Sequence, residues 1–151
     1  MTIVQKPPPE LTSTLEKAAE FHGHLGPFLV IGVRMGVIGL ERVGRPRWDS
    51  LTVTASVPLR VPFSCIIDGL QVSTNCTVGN RKLAVRDLPV IQARFKRDDN
   101  GHEITVALRK SILEKLGSQL LQKGLSDDEI RRLAWKIANI SEDELFDVTT
   151  V

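Results

Sequence analysis

The chain has 151 residues, 42% of them hydrophobic and 25% charged, which suits one soluble globular domain with a core of its own. A net charge of +2, no Tyr and only five Phe leave neither a strong basic surface nor stacking platforms, so a nucleic-acid binder is excluded from the reading. Two cysteines, Cys65 and Cys76, make no disulfide scaffold, and no signal peptide is recognisable at Met1, so a reducing cytoplasm is the expected location.

Met1 to Pro9 ends in three prolines and reads as an extended arm. Leu11, Leu15, Ala18 and Ala19 recur at helical spacing and predict a helix over Glu10 to Phe21. A turn follows at His22-Gly23-His24, with Pro27 suited to the first turn of the next helix. Leu25 to Leu40 is almost wholly apolar but is interrupted by Arg34 and falls short of the ~18 uninterrupted apolar residues of a membrane span. It reads as a buried core helix. Gly32, Gly36 and Gly39 lie near one face, each giving up about 1 kcal/mol of helix propensity, which predicts close packing against a neighbouring backbone. Arg34 is expected either to meet a buried carboxylate or to snorkel to the surface.

Leu51 to Val57 alternates with period two and predicts a half-buried strand. Pro58 and Pro62 bracket an extended piece, and Ser64 to Val72 predicts a short helix. Thr77 to Lys82 is a polar loop with a basic tip. Leu83 to Val85, Val90 to Lys96 and Glu103 to Lys110 predict strands, the last two joined by a hairpin at Asn100-Gly101. Helices are expected over Ser111 to Lys123, Ser126 to Asn139 and Ser141 to Phe146, with capping boxes at Ser126/Glu129 and Ser141/Glu144. The expected fold is one α+β domain over residues 1–151: N-terminal helices, a mainly antiparallel sheet, then C-terminal helices.

Chemistry concentrates in two stretches. His22 and His24 flank a glycine, which lets the backbone bend so that both imidazoles face one point. Cys65 and Asp68 are three residues apart on a helix and share a face; a helix start near Cys65 favours the thiolate. Two imidazoles, a thiolate and a carboxylate make a zinc or other transition-metal set. The alternatives are a turn with capping residues and a small buried cysteine. Cys76 lies roughly 15 Å from Cys65 if one helix joins them, so it would reach the same metal only from a partner subunit or across a break at Gly69. The loop around Arg81 and Lys82 offers cations and backbone donors for a small anion, or is simply a solvated turn. His102, after the hairpin, is assigned no role.

Phe21-His22-Gly23-His24-x-Gly26-Pro27, Gly32, Cys65-x-x-Asp68-Gly69-x-Gln71 and Asn75-Cys76-Thr77-x-Gly79 together resemble the FmdE family of formylmethanofuran dehydrogenase-associated proteins, from about Leu15 to Lys82. The resemblance implies a metal pocket, zinc first, with His22, His24 and Cys65 as ligands and Cys76 nearby. His22 would be a third ligand or a general base, Asp68 would orient an imidazole or take a proton, and Arg81 or Lys82 would attract an anion. It also implies a homodimer and association with the molybdenum or tungsten enzyme that reduces carbon dioxide to formylmethanofuran. Competing readings are a docking protein without metal and an enzyme using Cys65 as nucleophile. Two features depart from the family pattern: Gly26 stands where many relatives carry a cysteine, and the chain lacks a cysteine-rich zinc-finger tail. The Asn80-Arg81-Lys82 loop also differs from the glycine-lysine form associated with the family.

Overall fold

The computed structural model describes residues 7–120 and 124–150. The expected arm at 1–6 and the end of the helix predicted to Lys123 fall outside these residues. Pro9 already opens the first helix, α1 (Pro9–His22), so Pro7 and Pro8 alone precede it among the described residues. α1 ends at Gly23, whose φ of 106° is left-handed and whose N–H donates to the Ala19 carbonyl. A glycine takes that conformation without the strain a Cβ would bring. The chain then turns through His24 into α2 (Pro27–Arg42), with Pro27 in the first turn as its fixed φ and missing N–H favour.

α2 is the buried centre of the molecule. Most of its apolar residues, including Leu29, Ile31, Val33 and Met35, are buried, these four fully. It packs against α1, against α3 (Cys65–Thr74) and α5 (Asp127–Asn139), and against strands β3 (Gln92–Arg97) and β4 (Glu103–Leu108). The crossing with α3 is a backbone contact. A Cβ on Gly32 would overlap the Ile66 carbonyl oxygen, and one on Gly69 would overlap the Leu29 carbonyl oxygen. The glycine spacing read in the sequence is therefore a mutual fit of two helices, and Gly39 extends it by letting the Phe95 ring lie against α2. No helix among the described residues is long and apolar enough to cross a membrane.

Five strands form one sheet in the order β2-β1-β3-β4-β5, where β1 is Leu51–Val57, β2 Leu83–Asp87 and β5 Phe146–Thr150. β1 and β2 are parallel, joined through α3; the other three pairs are antiparallel. Val53, Phe95 and Ile104 stand in one cross-strand row on the core side, while Thr54, Arg94 and Thr105 face outward. The hairpin expected at Asn100-Gly101 closes β3 onto β4, with Gly101 at φ 75°.

The C-terminal segment differs from expectation. After α4 (Lys110–Leu120) and α5, the predicted final helix is a single turn, α6 (Glu142–Leu145), and the chain then pairs with β4 as an edge strand. Phe146 and Val148 alternate with Asp147 and Thr149, a period-two pattern masked by the acidic run before it. The capping box at Ser126 and Glu129 forms, whereas Ser141 makes no side-chain cap hydrogen bond. Arg34 meets neither expectation. Its Nη1 donates to the carbonyls of Ile137 and Ile140 at the C-terminus of α5, where the helix dipole is negative. Burial lowers its pKa, against the opposing charge of Glu142, without removing its charge.

Gly32→Ala should destabilise the fold by more than about 3 kcal/mol, because the methyl meets a carbonyl that cannot move independently. Gly117→Ala, on α4 with nothing within 4 Å of the new Cβ, should stabilise by about 0.5–1 kcal/mol. Thermal unfolding of the two variants checks the pair; equal effects would contradict the packing.

Candidate functional site

The α2–α3 crossing sets the geometry of the site. It brings His22, the last residue of α1, and His24, in the turn before α2, to the first turn of α3, carrying Cys65 and Asp68. The His22 Nδ1–H donates to Asp68 Oδ2 at 2.6 Å. A carboxylate accepts, so this bond places a proton on Nδ1, and in the neutral imidazole it leaves the Nε2 lone pair for another partner. The His24 ring is 4.9 Å from that of His22, tilted by 52°.

Both imidazoles line a cleft of about 410 Å³, within the range of small-molecule sites. Its walls are Gly26, Pro27, Phe28 and Leu29 from α2 and its cap, Pro62, Phe63 and Cys65 before and at the start of α3, and Gly117, Leu120 and Ile130 from α4 and α5. Among the described residues no Lys, Arg, Asp or Glu lines it. The apolar side chains and the contribution of α4 and α5 are what sequence reasoning missed. Nothing local marks Gly117 or Ile130; both are ordinary residues of amphipathic helices.

Cys65 is 9% exposed, and its thiol is pushed above the ordinary range, first by burial and then by the charge of Asp68. The helix N-terminus was expected to favour the thiolate; desolvation and a like charge outweigh it. Cys76 lies at the far end of α3, fully buried, with Sγ–H donating to the carbonyls of Trp48 at 3.7 Å and Leu51 at 3.8 Å. α3 runs unbroken through Gly69, so about 15 Å of helix separates the two sulfurs' positions along the chain, and Cys76 does not line the cleft. Arg81 and Lys82 are also remote from it. Their loop closes on itself, Asn80 Oδ1 accepting from the backbone of Thr77 and Lys82, and Lys82 Nζ pairs with Asp98 at 3.2 Å beside the β3–β4 hairpin.

Among the described residues, no three His, Cys, Asp or Glu side chains converge as a preformed metal site. The structure thus joins four of the residues singled out in the sequence, His22, His24, Cys65 and Asp68, and separates Cys76, Arg81 and Lys82 from them.

If Asp68 holds the thiol protonated, Asp68→Asn should speed alkylation of Cys65 by iodoacetamide roughly threefold at near-neutral pH, with the rate rising with pH in both proteins. Peptide mass mapping reads the site of modification, and buried Cys76 should stay unmodified. An unchanged or slower rate would remove Asp68 from the thiol's environment.

Comparison with known proteins accords with this arrangement. The family model described as "FmdE, Molybdenum formylmethanofuran dehydrogenase operon" matches residues 21–147. A protein of Archaeoglobus fulgidus, described as a probable S-adenosyl-L-methionine-binding protein, is 32% identical over 155 aligned positions, covering 91% of this chain. The chain spans 42% of that relative's length. The crystal structure of a tungsten formylmethanofuran dehydrogenase FmdE-like protein from Syntrophus aciditrophicus superposes with a TM-score of 0.70 at 19% identity, over all of this chain and 77% of that one, and so shares the fold. With a family match running from the His-Gly-His turn to the last strand, this chain belongs to the FmdE family.

Proposed function

We propose that the cleft binds a small organic molecule and that a transition metal, zinc first, is held at its polar end by His22 and His24, with Cys65 as third donor. The observation that carries this reading is the hydrogen bond from His22 to Asp68. Imidazoles that bind metals commonly donate their other N–H to a carboxylate, which fixes ring orientation and raises ligand basicity. Two imidazoles and a thiol suit zinc with an open fourth position for a ligand. When bound, the metal would polarise an oxygen or sulfur of that ligand.

The chain's own residues set the conditions. Because no third donor converges as placed, Cys65 must turn toward the imidazoles and lose its proton, against both burial and the charge of Asp68. Metal affinity should therefore fall as pH falls. The apolar walls favour the apolar body of a bound molecule, and Asp68 keeps His22 Nε2 available, as a ligand or, without metal, as the base for a proton of that molecule. Cys76, Arg81 and Lys82 have no part in this scheme. S-adenosylmethionine, from the archaeal relative's name, carries a zwitterion that these uncharged walls do not match, and the chain covers only part of that protein.

Metal analysis of untagged protein purified without chelator tests the reading. Near-stoichiometric zinc is expected, lost in His24→Ala and bound roughly tenfold or more weakly in Asp68→Asn. Gly26→Cys should bind more tightly, since a Cβ there lies beside the His24 ring, 3.3 Å from Cε1 and 3.6 Å from Nδ1, with the ring giving way by a few tenths of an ångström. Wild-type protein that neither carries nor takes up metal would leave only the small-molecule cleft.

A homodimer is proposed as the working form. Val61 is 79% exposed, Phe21 62% and Leu59 53%. The Leu59 N–H donates to Asp87 at the end of β2, next to exposed Leu88 and Val90, and Val61 and Phe21 adjoin the cleft residues Pro62 and His22 in the chain, leaving exposed apolar side chains for a partner copy to cover. Val61→Asp should shift light-scattering mass from dimer to monomer; a wild-type monomer would contradict the proposal. Association with a formylmethanofuran dehydrogenase, suggested by the family's description, is tested by co-purification.

A further inference from the structure

Among the described residues no Lys, Arg, Asp or Glu lines the cleft, so a charged group set against its apolar walls, away from the imidazole end proposed to hold a metal, would lose its hydration without meeting a counter-ion. A ligand charge that no metal meets therefore belongs at the edge of the cleft. A cation lies beside one wall residue, Phe63. Arg60 is exposed, and its guanidinium carbon lies 5.3 Å from the centroid of the Phe63 ring, which lines the cleft and meets Phe28 edge-on at 5.2 Å. Among the described residues Arg60 forms no ion pair, and although its neighbours Leu59 and Val61 belong to the proposed dimer face, its guanidinium is held against the Phe63 ring beside the cleft. The cations that the sequence offered for an anion lie elsewhere, with Lys82 already paired to Asp98.

We infer that the cleft takes an amphipathic anion: a flat apolar body against Phe28, Phe63 and Ile130, with a carboxylate, sulfonate or phosphate at the edge on Arg60. This rests on the small-molecule cleft proposed above and adds the ligand class and the residue that selects it. Arg suits the role because its planar fork can stack on an aromatic ring and still donate to an anionic oxygen pair.

The test uses two dyes with the same rings, anilinonaphthalene sulfonate and uncharged phenylnaphthylamine, both brighter in apolar surroundings. Wild-type protein should bind both and prefer the sulfonate at low salt, a preference that fades as salt rises. Arg60→Gln should weaken the sulfonate dye roughly fivefold to tenfold and leave the uncharged dye within about twofold, with Arg60→Lys between. Gly117→Leu, which projects a side chain into open space on the cleft wall, should weaken both dyes. If both dyes bind Arg60→Gln as they bind wild type while Gly117→Leu excludes them, the role of Arg60 is overturned and the cleft stands. If neither dye binds, or Gly117→Leu changes neither, the cleft reading falls and this inference with it.

Discussion

Where α2 crosses α3, two glycines remove the side chains that would otherwise hold the helices apart, and the backbones touch at Gly32 and Gly69. Each glycine weakens its own helix by about 1 kcal/mol, and dense packing of the buried apolar residues around the contact offsets that loss. The crossing has a chemical result as well as a structural one. His22 and His24 sit just before α2, and Cys65 and Asp68 open α3. Separating the helices by the width of a methyl group would lengthen the 2.6 Å bond between His22 and Asp68 beyond hydrogen-bonding distance.

Much of this was legible in the sequence because it is written in local chemistry. The His-Gly-His turn, the glycine spacing in α2, the strand at Leu51–Val57 and the Asn-Gly hairpin each depend on a few adjacent residues, and each stands where expected. What was not legible depends on distant partners. Arg34 had two plausible fates on its own helix and found a third at the carbonyls of Ile137 and Ile140, far along the chain. Phe146–Thr150 carries a strand pattern, but the acidic turn before it reads as helix until β4 supplies an edge to pair with. The basic loop at Arg81 and Lys82 looked like an anion site because spacing does not reveal Asp98, which comes close only through the β1–β3 pairing.

The site combines opposing tendencies. Asp68 supports the imidazole it touches and at the same time disfavours the thiolate three residues before it. Beside an apolar cleft both effects are stronger than in water. A carboxylate placed there makes His22 the ready donor and Cys65 a conditional one, recruited when a cation compensates the charge.

The metal reading of the cleft requires that Asp68 fix His22 with its proton on Nδ1 and its Nε2 open. Nitrogen-15 spectra of the histidine side chains, recorded at neutral pH before and after addition of zinc, test this most directly. The expected result is a His22 ring protonated at Nδ1, with its Nε2 and one nitrogen of His24 shifting together when zinc is added. A His22 ring that averages between tautomers and is unmoved by zinc would contradict it.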